Sequence, residues 1–329
     1  FGRQTPDVSY GRAPDGSETW LTLSPTPGAS NDDTFLPVVA DTTFSHDRSF
    51  YDQPFEVTIA TKTEGATIRY TLNGCTPTPE YGILYDGPIP IRGTTSLRAV
   101  AFKAGWKSTN VDTHSYLFPD DIIKQATNAA TGDQVTPEGC PTSWGSANGD
   151  YQMDPDVIGQ DGTDTYDGLY AETIKDDLKA VPSICLVMNA DDWFGSKGIY
   201  INQSQDGTER VVSMEYIDPK GNEGFQINCA IAMQGGISGG GTSLGRWKTF
   251  KLSMRPRFKP QTDDGTLTGG PGKLDFKIFD NSPIERFNTV VLDGVLNHSW
   301  LHPSSGQRNT ALYVQDQYVA DLHNAMEGH

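Results

Sequence analysis

The chain has 329 residues, and its 25 Lys and Arg against 42 Asp and Glu give a formal net charge of −17 at pH 7. This length exceeds one ordinary domain of about 100–200 residues, so it predicts two or three domains. So acidic a chain lacks the positive potential that proteins use to bind nucleic acid or an anionic membrane surface, and it has no run of about 18 apolar residues that would span a bilayer. Its 35 Gly and 21 Pro favour turn-rich β-domains over a helix bundle.

Residues 1–36 are rich in turns. The segment PDGSETWLTLSPTPGASN (14–31) resembles the last strand and exit of a bacterial lamin-tail domain, an Ig-like module of which only the C-terminal edge is present. The chain starts without Met and without the pattern of a signal peptide, and it ends directly after a helical pattern. Both ends are therefore expected to be cuts in a longer polypeptide.

The four cysteines form neither a CxxC pair nor a Cys/His cluster with zinc spacing. Cys185 and Cys229 lie in apolar runs, which favours buried free thiols. Cys75 and Cys140 lie in loops rich in Gly and Pro and could pair. The sequence leaves that pairing, and with it the redox compartment, open.

Residues 38–118 predict an all-β module. Five segments alternate or are continuously apolar, with Gly, Pro and Asn between them. They are 55–61, 66–72, 89–93, 96–102 and 113–118. Short strands at about ten-residue spacing are typical of a small β-sandwich.

This module as a whole, 38–118, resembles the Ig-like domain at the C-terminus of chitobiases and β-hexosaminidases. The segments that carry the likeness are ATIRYTLNGCTPTPEYGILYDGPIPI and SLRAVAF. That family usually has Asp-Gly-Ser where this chain has Asn73-Gly74-Cys75, and Asn-Gly still suits a turn that needs positive φ. The resemblance implies an appended module that carries no chemistry.

Residues 119–180 predict a connecting segment. DDIIKQATNAA (120–130) has the apolar spacing of a short helix. YAETIKDDLKAV (170–181) predicts a second helix, because its acidic first turn suits the positive end of the helix dipole. The long polar stretch between them is expected to carry function or to cover another surface.

Residues 181–329 predict many strands and then one long helix, an arrangement expected of an α+β lobe. The predicted strands are 182–188, 198–202, 210–218, 224–234, 248–254, 273–279 and 287–293. The helix is expected over 309–327, where apolar residues recur at a spacing of mostly three to four. The whole chain is thus predicted to be multidomain, an Ig-like β-sandwich followed by a mostly antiparallel lobe with a C-terminal helix.

A glycine-dense segment follows the strand 224–234. It contains Gly235, Gly236, Gly239, Gly240, Gly241 and Gly245, and Lys248 opens the next predicted strand. Glycine lets backbone N–H groups approach phosphate oxygens, and a nearby lysine adds positive charge, as in the glycine-rich loop of kinases. The segment matches neither GxGxxG nor GxxxxGK[ST], so a plain hairpin with a surface lysine remains an alternative.

Beyond this segment, residues 150–329 resemble the N-terminal part of the bacterial CotH family, named for a spore-coat protein kinase. The likeness rests on ADDWFG (190–195), GIY (198–200), Glu209-Arg210, SMEY (213–216), QGG (234–236) and WKTFKL (247–252), and on 150–158, 272–279, 290–300 and 308–326. It implies an atypical kinase fold that transfers the ATP γ-phosphate to Ser or Thr with Mg²⁺.

The same resemblance implies a set of ATP-binding residues. Lys248 corresponds to the lysine of the family's pKxSFRL strand, and Arg308 and Asp316 match an Arg and an Asp that flank the last helix. The glycine-dense segment would contribute Gly235, Gly236, Ser238 and Gly239. Glu215 is a plausible ion-pair partner of Lys248, by strand geometry more than by motif.

Two of the family's motifs are altered in this chain, at three positions. Gly239 stands where the family often has Arg, and Asp293 and His298 stand where the family's LRxxxND motif has Arg and Asp. The catalytic and metal-binding carboxylates of the family are expected after residue 329. Kinase activity of this chain alone is therefore not expected, and its catalytic residues stay unassigned.

Three other constellations suggest chemistry less specifically. His298 and His302 are four residues apart, but no third zinc ligand is evident, so loop histidines are favoured. Asp161, Asp164 and Asp167 form an acidic loop that lacks EF-hand spacing, which favours a solvated loop over a Ca²⁺ site. Asp191-Asp192 could be an acid pair, but a cap after the preceding strand is the better interpretation.

The leading hypothesis is a secreted or cell-surface bacterial CotH-like atypical kinase that uses ATP and Mg²⁺ and binds no nucleic acid. One rival is a structural or adhesive surface protein with a degenerate kinase-like domain. A weaker rival is a carbohydrate-binding module, which would need a row of exposed aromatic side chains. The candidates for that row are Tyr70, Tyr81, Tyr85 and Trp106.

Overall fold

The computed structural model describes residues 9–31, 36–126, 140–144, 147–149, 151–153, 155–158, 166–199, 208–222, 224–234, 253–280, 282–294, 305–312 and 314–326. Within these ranges the chain is mostly antiparallel β-sheet with few helices, as the composition predicts.

A hairpin of β1 (Ser9–Arg12) and β2 (Trp20–Leu23) begins the described chain. The Ig-like module follows with nine strands. They are β3 (Thr42–Phe44), β4 (Ser49–Phe50), β5 (Phe55–Val57), β6 (Ile59–Thr61), β7 (Thr67–Thr71), β8 (Ile83–Leu84), β9 (Ile89–Ile91), β10 (Thr95–Phe102) and β11 (Asp112–Leu117).

The Ig-like module is built on a five-stranded sheet in the order β4-β11-β10-β7-β8, with β3-β6 and β5-β9 as smaller pairs. Its core holds fully buried apolar side chains from several of these strands. Among them are Val57, Ile89, Ile91, Leu97 and Tyr116. Alternate residues of β9 are buried in this core, and the apolar and alternating patterns located β7, β9, β10 and β11.

One predicted strand of this module, 55–61, is two strands in the structure. Phe55–Val57 pairs with β9, whereas Ile59–Thr61 pairs with β3. The change of partner occurs at Thr58, whose carbonyl accepts the Ser45 N–H at 3.0 Å and whose N–H donates to the Ser45 hydroxyl at 2.9 Å. The alternation of apolar side chains continues through 55–61 and does not show where the strand changes partner, because both partners bury the same kind of side chain.

The connecting segment contains α1 (Pro119–Ile122), β12 (Ser143–Trp144), β13 (Ala147–Asn148), α2 (Pro155–Ile158) and α3 (Ile174–Ala180). Both predicted helices are shorter than expected. Beyond α1, residues 123 and 124 form a turn and 127–130 lie outside the described ranges, while turns occupy 166–173 before α3. Acidic residues occupy the first turn of α3, in agreement with the dipole argument.

The C-terminal module is built on a four-stranded antiparallel sheet in the order β14-β15-β16-β17. Its elements are β14 (Ser183–Val187), α4 (Ala190–Phe194), β15 (Arg210–Ile217), β16 (Phe225–Met233), β17 (Met254–Arg257), β18 (Leu274–Asp275), β19 (Arg286–Phe287), α5 (Ser305–Arg308) and α6 (Gln315–Ala325). One face of the sheet is apolar. It includes Val212, Met214, Ile227, Cys229 and Ile231, against which Phe258 and Leu274 pack.

Several predicted strands of this module are wrong in extent. Residues 198 and 199 are not strand, only Leu274–Asp275 of 273–279 and only residue 287 of 287–293 are, and the described end of 248–254 is strand at Met254 alone. The stretch after β19 instead joins β17 through isolated bridges, Met254 to Leu292 and Arg257 to Thr289. Apolar runs outside the sheet pack on its apolar face as irregular chain, because burial of side chains does not require a ladder of backbone hydrogen bonds.

The predicted C-terminal helix is confirmed over Gln315–Ala325, within the expected 309–327. Its apolar side chains Tyr318, Val319 and Leu322 are exposed. In the part of the chain that the structure describes, no helix is long and apolar enough to cross a membrane.

Candidate functional site at the boundary of the two modules

The Ig-like module packs its strand β11 against β15 of the C-terminal module. At the centre of this contact the Glu215 side chain is completely buried. Its carboxylate accepts hydrogen bonds from Arg48 Nε at 2.8 Å, from the Ser115 N–H at 3.1 Å and from the Ser115 hydroxyl at 2.5 Å. Burial raises the pKa of Glu215, and the Arg48 charge and the Ser115 hydrogen bonds offset part of that rise.

Further polar contacts surround this buried ion pair. Asn228 of β16 donates to the Val111 carbonyl at 3.3 Å, and outside the buried layer Lys179 pairs with Asp52 at 2.7 Å. Adjacent residues of β15 therefore contact different modules. Met214 enters the apolar core of its own sheet, whereas Glu215 meets the Ig-like module.

Arg98 of β10 is a buried cation at this boundary, with 4% of its surface exposed. One terminal nitrogen, Nη1, donates to the Gly74 carbonyl and to the Thr76 hydroxyl, both at 2.9 Å. Its Nε has no hydrogen-bond partner among the described residues. Burial lowers the pKa of Arg98 to about 10, against the attraction of Cys75 and Glu215, and the guanidinium stays protonated at neutral pH.

A polar cleft of about 730 Å³ lies beside this boundary. The Ig-like module contributes Thr76 to its wall, and the C-terminal module contributes three segments. These are residues 189–197 after β14, residues 209–211 at the start of β15, and the loop around 262–267. The lining is rich in carboxylates and hydroxyls and contains one side-chain amide, Asn189.

Asn189 joins the two sides of the cleft. Its Oδ1 accepts the Thr76 N–H at 2.8 Å, and its Nδ2 donates to an Asp192 carboxylate oxygen at 3.3 Å. The other oxygen of Asp192 lies 3.5 Å from Arg210 Nε. A chain of polar contacts therefore runs from the Ig-like module to the first residue of β15.

The sequence ADDWFGSKG forms the turn that presents Asn189 and its neighbours. Gly195 is the C-cap of helix α4, and a Cβ added there would lie 2.5 Å from the Asp191 carbonyl oxygen. Only glycine permits this close approach of the chain to its own helix. Asp191 and Asp192 occupy the first turn of α4, which agrees with a structural interpretation of the pair, although the N-cap residue is Asn189.

A buried carboxylate holds the loop on the far side of the cleft. The Glu209 side chain is 1% exposed and contacts Arg257 Nη1 at 2.7 Å, Lys259 Nζ at 2.6 Å and the Asp263 N–H at 2.7 Å. Within the loop, hydrogen bonds from Thr262 and then Thr266 lower the pKa of Asp264 to about 2. Glu209 thus fixes a loop that presents an ionised carboxylate to the cleft.

The cleft lies at one end of the central sheet. Arg210 at the start of β15 pairs with Ile231 near the end of β16, and the Gln234 N–H donates to the Ser253 carbonyl at 2.9 Å. The glycine-dense segment 235–252 therefore begins and ends at the same sheet end as the cleft. The segment itself lies outside the described residues, together with Lys248, Gly235, Gly236, Ser238 and Gly239.

Glu215 lies elsewhere. It pairs with Gln226, eight residues before Gln234 and hence about 27 Å along the strand from the start of the glycine-dense segment. Arg48 and Ser115 of the Ig-like module occupy its carboxylate, a role that the strand-geometry argument did not foresee. The expected ion pair with Lys248 stays a prediction, because Lys248 is outside the described ranges.

Other expected site residues are distributed through the chain. Arg308 and Asp316 belong to α5 and α6. His298, His302, Asp161 and Asp164 lie outside the described residues, and among the residues that are described no three His, Cys, Asp or Glu side chains come together to hold a metal.

The cysteines are free, including Cys75 and Cys140, which the sequence had left as a possible pair. Cys229 is buried and Cys185 half-buried, close to the expectation of buried thiols, and burial raises the pKa of both thiols to about 12. Neither is therefore a thiolate at neutral pH.

The row of aromatic side chains that a carbohydrate-binding module would need does not form in the Ig-like module. Tyr70, Tyr85 and Trp106 pack against its core, and only Tyr81 of the four candidates is mainly exposed, at 50%. A sandwich core buries such rings for their apolar area, which outweighs the cost of ordering them.

Sequence reasoning missed Arg48, Arg98 and Ser115. Each stands in an ordinary strand or turn sequence, and its role depends on a partner more than 20 residues away. The one local signal was a Glu within the apolar run of β15, at a position where a solvated side chain would have been expected.

The comparisons with known proteins found a match for the Ig-like module only. The sequence model of the chitobiase/beta-hexosaminidase C-terminal domain matches residues 47–113, about a fifth of the chain, from just before β4 to the start of β11. No curated protein and no solved structure matches this chain.

Proposed function

We propose that the chain carries the nucleotide-binding part of a CotH-like atypical protein kinase, secreted or displayed on a bacterial surface. In this proposal it binds ATP with Mg²⁺ for γ-phosphate transfer to Ser or Thr. The observation that carries it is the position of the polar cleft, at the sheet end where the glycine-dense segment begins and ends. Kinase-type loops combine glycine-rich backbone with a following lysine over the nucleotide phosphates.

The charges of the cleft support the need for a divalent cation. The cleft is lined by the carboxylates of Asp191, Asp192 and Asp264 and by the cations Lys197 and Arg210. These carboxylates would repel a triphosphate that carries no counter-ion. Mg²⁺ is commonly held by only one or two carboxylates together with substrate phosphates, so the absence of a three-carboxylate cluster among the described residues is compatible with it. The cleft carboxylates would hold Mg²⁺, which when bound neutralises phosphate charge.

Calorimetric titration of the chain with ATP, with and without Mg²⁺, tests the proposal. We expect binding only with Mg²⁺ and a loss of at least tenfold in affinity for Lys248→Ala. Lys277→Ala, which removes an exposed lysine of the same module, is the control and should bind like the wild type. Unchanged affinity of Lys248→Ala removes that lysine from the site, and no binding by folded wild-type protein refutes the proposal.

A second function, a non-catalytic structural or adhesive surface protein, is favoured by the buried link at Glu215. A buried ion pair fixes two modules in one orientation, which suits a mechanical or display role. Folded protein that binds no nucleotide, with or without Mg²⁺, would support this function instead.

A further inference from the structure

The cleft has walls from both modules, and we propose that Arg98 of the Ig-like module is a positioning residue for ligand binding there. It acts through the turn that contains Gly74 and Thr76, so the Ig-like module is part of the binding site and more than an appendage. The choice of Mg²⁺-ATP as the probe rests on the proposed function. The positioning itself does not.

The contacts form a continuous path. Arg98 Nη1 donates to the Gly74 carbonyl and to the Thr76 hydroxyl, and the Thr76 N–H donates to Asn189 Oδ1. Asn189 in turn donates to Asp192, which faces Arg210. Four of these residues, Thr76, Asn189, Asp192 and Arg210, line the cleft, and Arg98 lies behind them.

The turn held by Arg98 is close to the sheet of the other module. Gly74 has φ of 76°, and a Cβ added there would lie 3.2 Å from a methyl group of Val187. A turn in this conformation has little room to shift without breaking the Thr76–Asn189 hydrogen bond. The guanidinium that fixes the turn therefore also fixes the orientation of the Asn189 amide.

The burial of Arg98 is otherwise unexplained. Two arginines, Arg48 and Arg98, lie near one buried carboxylate, and Arg48 takes the direct contact with Glu215. Arg98 is left with two neutral acceptors and a bare Nε among the described residues. Burying a cation in this way is costly, and an apolar residue would fill β10 at lower cost if packing alone were required.

Arg69 offers a matched comparison within the same module. Its Nε donates to the Pro79 carbonyl at 2.9 Å and its Nη1 to the Gly82 carbonyl at 2.8 Å. It too fixes a turn through main-chain acceptors, but the turn at 79–82 does not line the cleft. If arginine had only a structural role in the Ig-like module, Arg69→Met and Arg98→Met would have the same effect on amide exchange at 189–198 and on Mg²⁺-ATP binding.

Amide hydrogen exchange and Mg²⁺-ATP titration of the full chain distinguish the two roles. Arg98→Met should raise exchange at 189–198 at least fivefold and weaken Mg²⁺-ATP binding about tenfold, and Arg98→Lys should restore most of both. Arg69→Met should raise exchange only near 79–82. Thr76→Val, which removes the hydroxyl acceptor and keeps the shape, should reproduce the Arg98→Met effect in direction and serves if Arg98→Met does not fold.

The proposal is overturned if amide exchange at 189–198 is the same in Arg98→Met as in Arg69→Met. If Arg98→Met does not fold, Thr76→Val takes its place in this comparison. Failure of the proposed function has a different signature. Wild-type protein would then bind no Mg²⁺-ATP, while the exchange comparison across 189–198 would still decide whether Arg98 positions the cleft.

Discussion

Replacing Arg48 by Met tests whether the two modules are joined by a buried charge. Arg48 donates from Nε to a Glu215 carboxylate that is completely buried, whereas Arg48 itself is 18% exposed. The variant keeps most of the apolar length of the side chain and removes only the guanidinium. What remains is a buried carboxylate with two hydrogen bonds, both from Ser115.

The expected cost follows from this geometry. Removing one partner of a buried ion pair costs about 3–5 kcal/mol, because the other charge is left without compensation. The two Ser115 hydrogen bonds remain, and Arg48 is partly hydrated even in the folded state. We therefore expect the lower end, about 3 kcal/mol of the free energy of unfolding. The double variant Arg48→Met/Glu215→Leu, which removes both members of this ion pair, should recover most of it.

The pH dependence of this loss has a definite sign. Arg48 lowers the pKa of Glu215, so its removal lets burial raise that pKa further. A folded-state pKa above the unfolded value means that the folded protein gains stability as the pH falls, because the protonated carboxyl needs no cation. The deficit of Arg48→Met should thus be largest near pH 8 and shrink toward pH 5.

Urea unfolding followed by tryptophan fluorescence and circular dichroism measures these quantities. The control is Lys179→Met, which breaks an ion pair between the connecting segment and the Ig-like module. Its side chains are 31% and 69% exposed, and its loss should cost no more than about 1 kcal/mol. If Arg48→Met costs no more than Lys179→Met, or if its deficit grows as the pH falls, the buried-charge argument is wrong.

Two further predictions concern carboxyl groups. Burial, and then the charge of Asp41, raises the pKa of Asp112 to about 7, so the folded state binds this proton more tightly than the unfolded chain. Its contribution to stability is complete below about pH 4 and is lost as the pH rises through 7. Asp112→Asn should therefore flatten the fall in unfolding free energy between pH 5 and 8. Equal slopes of unfolding free energy against pH in the variant and the wild type would contradict this. Glu209→Gln weakens the contacts to Arg257 and Lys259, so it should lower the free energy of unfolding by about 2 kcal/mol and raise amide exchange at 262–267. Unchanged exchange there would show that another contact holds the loop.

Period-two patterns located most strands of the Ig-like module and the first three strands of the C-terminal sheet. The pattern works there because one face of each strand enters a core, as with Leu97 in β10 and Met214 in β15. It failed at 55–61, where apolar side chains are buried although the backbone changes partner, and at 287–293, where the backbone leaves the sheet and Val291 is 52% exposed. At 55–61 burial was predictable and the hydrogen-bond partners were not.

The candidate site was predictable only in part. The motif ADDWFG and the pair Glu209-Arg210 were singled out in the sequence. Asp191, Asp192 and Gly195 of the motif line the cleft, as do both residues of the pair. Thr76 and Arg98 were not, because their partners lie in another module and no local spacing announces such a contact. Glu215 was singled out, but for a pairing with Lys248, while its carboxylate contacts the Ig-like module.

The sequence by itself determined that this protein is a turn-rich, acidic chain of mostly antiparallel strands. It also determined that one module is Ig-like, of the chitobiase/hexosaminidase C-terminal type. Those properties depend on side-chain period and turn residues, which are local. Only the tertiary structure decided that Glu215, Arg48 and Ser115 meet, and that Thr76 and Asn189 share one cleft wall. Such contacts join residues about 100 or more positions apart, with the Ser115 and Arg48 bonds to Glu215 spanning 100 and 167 positions, and no period in the chain encodes them.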